Sequence, residues 1–193
     1  MNKKRQEANT MVKKPTDILE EEHHVIQKVV AVMVALLARL EEGKDVKGET
    51  INHVVEFMRT FGDKCHHGKE ENYLFPLLGK KGVPMTGCPI AILVHEHEKG
   101  RSLVKQLSES GAAYAKSGET AKSVLIKSLQ GLVELYPNHI WKEEYLLFPM
   151  TNKVLNDKDQ KELSDQFEAV EKEIGRDVHK RFEKIAEELA PEI

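Results

Sequence analysis

One eleven-residue pattern occurs twice in this chain, as HHGKEENYLFP from His66 to Pro76 and as HIWKEEYLLFP from His139 to Pro149. Both copies fit H-x-x-K-E-E-x-x-L-F-P, with seven positions in common. The leading histidine and the first glutamate are four residues apart, so on a helix they stand one turn above each other on a single face. A shorter repeat precedes each copy, Glu22-His23 before the first and Glu96-His97 before the second. The chain therefore reads as two helical hairpins of one plan, the mark of an internal duplication.

The apolar periodicity agrees. Leu19, His23, Ile26, Val30, Met33, Leu37 and Leu40 recur in steps of four and three, as on one helix face. This predicts a helix from Asp17 to about Glu42, capped near Thr16 and ended by Gly43. A second runs from about Glu49 to Leu78 and stops in GKKGVPMTGCP. A third spans about Pro89 to Lys116. A fourth spans about Glu119 to Met150, with Pro137 expected to kink it. A charged amphipathic stretch from about Asp157 to Leu189 carries an apolar stripe at Leu163, Phe167, Val170, Ile174, Val178 and Ile185, and reads as one further helix. No strand pattern competes. The expected class is all-α, an up-down-up-down four-helix bundle with an additional C-terminal helix. Residues 1–15 are expected to form a flexible tail, residues 16–151 the bundle, and residues 152–193 a helix packing on the bundle or on a partner.

At 193 residues the chain can bury one core without covalent staples. Its two cysteines, Cys65 and Cys88, are too few and too isolated for a disulfide framework or a four-thiolate zinc site, which points to a reducing compartment, the cytoplasm. The basic start MNKKRQEANTMVKK lacks the apolar stretch of a signal peptide, and no stretch of ~18 uncharged apolar residues is evident. The 29 basic and 32 acidic residues are well mixed, so there is no electrostatic footprint for nucleic acid or an anionic membrane.

Placed along the helices at a rise of ~1.5 Å per residue, His23, His66, Glu70, His97, His139 and Glu143 come to one level of such a bundle and face inward. Burying two carboxylates and four imidazoles without compensation would cost several kcal/mol per unpaired charge. Metal cations supply the compensation. Nitrogen and oxygen donors without thiolate suit iron, manganese or zinc, and two carboxylates able to bridge favour a pair of iron or manganese ions.

On these residues the chain resembles the hemerythrin-like, or HHE cation-binding, proteins over roughly Thr16 to Met150. The resemblance implies two iron ions, oxo- or hydroxo-bridged, with manganese or zinc as possible substitutes. His23, His66, His97 and His139 would be terminal ligands, and Glu70 and Glu143 would bridge. The classical oxygen carriers supply two histidines one turn apart from the third helix, whereas here Leu93 and Arg101 flank His97 at that spacing. His67 is the candidate for the missing ligand. Without it the site is more open than a carrier's. The resemblance implies a small gaseous or peroxide ligand. The first reading is a protein that binds or senses O2 or NO. The alternatives are a di-iron enzyme that handles peroxide or nitric oxide or donates iron for cluster repair, and a bundle that metal merely staples.

Other residues have plainer readings. His24 and His95 lie off the ligand face, and His53 and His179 are expected at the surface. Glu71 and Glu144 either face solvent or accept a hydrogen bond from a ligand imidazole. Tyr73 and Tyr136, one turn from ligands, are candidates to face the metals. Cys65 is expected to be a small buried residue and Trp141 to fill core or boundary. The Leu-Phe-Pro triplets are expected to close the bundle end and stop the helices.

Overall fold

The computed structural model describes residues 13–87, 89–117 and 119–189. The expected tail, through residue 12, and Cys88 lie outside them, as do the side chains of Val178 and His179. The described residues are helical and contain no strand. Helix α1, Pro15–Glu41, starts one residue ahead of the expected Thr16 cap. Proline fits the first turn because its missing N–H has no partner there anyway, and the Asp17 carboxylate accepts the Lys14 N–H at 3.0 Å. Thr16 lies buried inside that turn and accepts a hydrogen bond from Asn152 Nδ2 at 3.2 Å. Gly43, at φ +78°, turns the chain out of the helix.

Helix α2 covers residues 48–80. It begins as an α-helix over Gly48–Phe57, widens to i→i+5 hydrogen bonding over Met58–His67 and again over Glu70–Leu74, and tightens over Phe75–Lys80. Helix α3 is Ile90–Ser117. Helix α4 covers residues 119–154, with α-helical Glu119–Lys142, a wide turn over Glu143–Leu147 and α-helical Phe148–Val154. Pro137 sits within the α-helical part without ending it. The Leu-Phe-Pro triplets do not stop the helices either. Pro76 and Pro149 each lack an N–H and crowd the carbonyl four residues back, at Asn72 and Tyr145. Both carbonyls lie in the wide turns, which absorb the proline and let the helix continue.

Helix α1 packs on α2 and α4, α2 on α3, and α3 on α4, so the four long helices close a ring. Inside it lie two apolar clusters. The larger includes Ile26, Met33, Leu36, Phe57, Phe61, Leu107, Leu132 and Ile140. The smaller includes Leu19, Leu74, Phe75, Leu93, Leu147, Phe148, Leu163 and Phe167. His23, His66, Glu70, His97 and Glu143 fall between them in sequence, and His139 lies at the boundary beside Ile140 of the larger cluster, so the polar residues form a layer with apolar packing above and below. By length and composition α1 would also qualify to cross a membrane, which the sequence reading did not anticipate. Its apolar side, from Leu19 to Leu40, is spent on this core.

The single C-terminal helix expected from Asp157 to Leu189 is two helices, α5 (Asp157–Ile174) and α6 (Arg176–Leu189). They part at Gly175, whose φ of +100° side-chain-bearing residues rarely adopt. Asn156 caps α5 by accepting the Asp159 N–H at 3.0 Å. Both helices pack on α1 and α2 of the same chain, through buried Phe167 and through Phe182, which sits edge-on to Phe57. Phe167→Ala is expected to lower unfolding stability by about 3–5 kcal/mol, the usual cost of truncating a buried phenylalanine, as measured by urea denaturation.

Candidate metal centre

All seven sequence-predicted site residues come together in the buried polar layer. His23, His66 and Glu143 point one donor atom each into a first nest, and His67, His97 and His139 into a second, with the atoms of each group within 4.8 Å of one another. Glu70, His97 and Glu143 form a third such group, which lies between the other two. Glu143 spans both nests, with one oxygen 3.0 Å from His23 Nε2 and the other 3.1 Å from His139 Nε2. One Glu70 oxygen lies 3.8 Å from His66 Nε2 and 3.4 Å from His97 Nε2. The widened turn over Met58–His67 makes the His67 placement possible. An i→i+5 turn holds more residues than an α turn, so His66 and His67 are separated by less than the ~100° of an α-helix and both face inward.

Carboxylates surround the imidazoles on their outer sides. His23 Nδ1 meets Glu144 at 2.9 Å, His66 Nδ1 meets Glu22 at 3.0 Å, His97 Nδ1 meets Glu71 at 2.6 Å, and His139 Nδ1 meets Glu96 at 3.1 Å. His67 Nδ1 meets Asp63 at 3.4 Å. A carboxylate only accepts, so the proton belongs on Nδ1 and each Nε2 lone pair points inward. Lysines secure two of the carboxylates. Lys69 donates to Glu22 at 2.6 Å and to Glu171 of α5 at 2.6 Å, while Lys142 donates to Glu96 at 2.5 Å. Lys69 is fully buried and lies over the Phe167 ring. Burial works against its ammonium, but Glu22 and Glu171 hold its pKa above the ordinary value, so it stays charged. Phe148 stacks on His23 and Phe75 on His97, at centroid distances of 5.6 and 5.9 Å.

The sequence reading missed Glu22, Glu96, Lys69, Lys142, Asp63, Arg101 and the two phenylalanines as parts of the site. The signal for most of them was present, since each position of the repeat that is not a ligand is spent on holding one. Glu71 and Glu144 take the hydrogen-bonding role rather than the solvent-facing one. Cys65 is a buried thiol 3.6 Å from Glu22, and burial and that carboxylate push its pKa up to about 12. His24 and His95 are exposed, and His53 is half-buried. Tyr73 packs on the smaller apolar cluster, whereas Tyr136 is buried edge-on to His139. Trp141 is not core or boundary filling: it is 53% exposed and stacks on exposed Tyr145.

The donor set fits metal ions. Among the described residues, His67 Nε2 and both oxygens of Glu70 and of Glu143 are buried without a hydrogen-bond partner. His23 and His66 bring their Nε2 atoms within 3.0 Å of each other, and His97 and His139 within 3.2 Å. Two lone pairs at that separation repel unless a cation or a proton lies between them. Protons compete for that place. Burial opposes an imidazolium at His139, but Glu143 and Glu96 outweigh it and raise the pKa to about 9. Burial and the Glu143 charge raise Glu70 well above the usual carboxylate range. Burial alone would raise Glu143 too, yet His139, His23 and His97 hold it well below that range. Burial keeps His66 neutral, at about 4, and also lowers His67.

An all-helical protein with a buried nest of five imidazoles and two shared carboxylates is a metal-centre protein. Residues 14–151 match the hemerythrin HHE cation binding domain, and the chain belongs to that family of cation-binding proteins. Uncharacterized proteins of Mycobacterium tuberculosis and Mycobacterium bovis are similar to it, at 23% identity over 176 residues, 91% of this chain. The chain spans 65% of the length of these relatives. No solved structure matches it.

Two predictions follow from this geometry. Glu22→Ala, which frees His66 Nδ1 and leaves Lys69 with Glu171 alone, should weaken metal binding about 10–100-fold, as read by competition with a chelating dye. Binding must also displace the protons held by Glu70 and His139, both raised in the metal-free protein. Affinity is therefore expected to weaken as pH falls from about 9, with measurable proton release on metal addition.

Proposed function

We propose that this chain is a non-haem di-iron protein that binds or senses a small diatomic ligand, O2 or NO. Its frame is an up-down-up-down four-helix bundle. The observation that carries the proposal is the pair of nests sharing two orphaned carboxylates. Five imidazoles divide between them, His23 and His66 in one and His67, His97 and His139 in the other, with Glu70 and Glu143 between. Such a division suits two ions rather than one. The absence of thiolate suits iron, or manganese, over metals that prefer sulfur.

Iron bound there would supply exchangeable coordination positions and a redox couple for the diatomic ligand. The chain's own contribution is to orient and to insulate. Glu144, Glu22, Glu71 and Glu96 keep four imidazoles in the tautomer that offers Nε2. Phe75, Phe148 and the two apolar clusters keep bulk water from the layer, so a small ligand would be held in a low-dielectric setting. With His67 in place the donor set reaches five imidazoles, so the carrier reading stands better than His97 alone in α3 would allow. The nest with two imidazoles is the more open one. The free Cys65 thiol accords with a reducing cytoplasm. We place neither nucleic acid nor membrane among the partners.

The test is metal analysis of the purified protein with spectra under oxygen and nitric oxide. Two irons per chain and visible bands that appear on admitting either gas to the reduced protein are expected. A colourless protein holding zinc would overturn the proposal. Glu143→Ala, which removes the carboxylate common to both nests, is expected to lose both irons, and retention of two would contradict the bridging role.

A further inference from the structure

Aligning the two halves on His66 with His139 and on His23 with His97 pairs like with like through most of the site: Glu22 with Glu96, Lys69 with Lys142, Glu71 with Glu144, and Phe75 with Phe148. Among the unlike pairs, three bear on one side of the site. His67 answers to Ile140, Asp63 to Tyr136, and Arg101 to Gln27. His67, Asp63, Arg101 and Tyr136 all line one cavity of about 220 Å3 between α2, α3 and α4. Gln27 and Ile140 also line a cavity, of about 250 Å3, so the halves differ in what lines the hollow: only the first has a histidine, a carboxylate and a guanidinium there.

The support of His67 also differs from that of the other four imidazoles. Their Nδ1–carboxylate distances are 2.6 to 3.1 Å, whereas His67 Nδ1 lies 3.4 Å from Asp63, a weak hydrogen bond. Asp63 is held in turn by Arg101, whose Nε donates to it at 2.8 Å. The same guanidinium donates to Glu71 at 2.7 Å, the carboxylate that orients His97. Arg101 is about one-third exposed, so this latch can be released from the surface. His67 stacks on His97 at 3.8 Å on one side and borders the cavity on another.

Resting on the di-iron reading above, we infer that His67 is a detachable donor, latched by Asp63 and Arg101, which turns into the cavity and gives up its coordination position to a small incoming ligand. The exchange is a substitution. With a metal bound, His67 Nε2 would leave keeping its lone pair and the incoming donor would supply its own, with no electron or proton transferred. Asp63 and Arg101 are positioning residues that act through His67. The cavity suits a small anion or polar diatomic. Arg59 and Arg101, the latter paired with Asp63, Glu71 and Glu98, line it, and buried Tyr136 at its wall can offer its hydroxyl. In the other half Ile140 cannot detach and Gln27 cannot latch.

The test titrates azide into the iron-loaded ferric protein, followed by visible absorption, with iron content measured on every variant. Arg101→Ala and Asp63→Asn are expected to bind azide at least tenfold more tightly than the unmodified chain, and His67→Ala at least as tightly as these, all with two irons retained. Gln27→Ala, the counterpart of Arg101 in the other half, is expected within twofold of the unmodified chain. Azide affinity within twofold across the Arg101, Asp63 and His67 variants would overturn the latch. Loss of iron from His67→Ala would also overturn it, by making His67 a fixed ligand. If the unmodified protein holds no iron pair, the underlying reading falls with the inference. If it holds the pair and azide affinity does not move, only the latch falls.

Discussion

Five imidazoles and two carboxylates lie at one level of an apolar helical core, and the carboxylate oxygens facing inward have no hydrogen-bond partners among the described residues. Uncompensated, this arrangement would be strongly destabilising, because a buried unpaired charge costs several kcal/mol. Cations in the nests convert the same groups into ligands. Protons compete for the same atoms, since the pKa values of Glu70, His139 and His23 are all raised. The rest of the structure is arranged around this constraint. The carboxylates outside the imidazoles fix tautomers, the lysines outside those carboxylates fix the carboxylates, and Glu171 and Phe167 of α5 enclose one of the lysines.

This layering explains why the repeated pattern is as long as it is. Its histidine and first glutamate supply donors. Its lysine crosses to the glutamate that precedes the histidine of its own hairpin's first helix, and its second glutamate orients the corresponding histidine of the other hairpin. Its phenylalanine forms the floor under the same ring, and its proline sits beyond the wide turn that begins at the first glutamate. The two halves thus interlock, since α1 and α4 share His23 with Glu144, and α2 and α3 share His97 with Glu71. Neither hairpin completes a nest alone.

The all-α class, the helix spans to within a few residues, and six of the site residues were legible because they follow from spacing. An i,i+4 pair has only one geometry on a helix, and apolar steps of three and four mark its inner face. His67 was legible only as a candidate, because adjacent residues on an α-helix diverge by ~100° and no residue in the first hairpin announces the widened backbone. The roles of Lys69 and Glu22 required knowing which helices are neighbours, a tertiary fact that the repeat encodes but does not locate. Trp141 failed because size and apolarity argue for burial, while its position on the outer face of α4 decides otherwise. The break in the C-terminal helix hinged on Gly175, a residue that periodicity alone passes over.

The central claim, that the shared carboxylates hold two metal ions, is tested most directly by diffraction from iron-loaded crystals at the iron absorption edge. Two anomalous peaks are predicted, one bounded by His23 and His66 and the other by His67, His97 and His139, with Glu143 contacting both. A single peak, or peaks that leave Glu70 and Glu143 without a metal contact, would contradict the account.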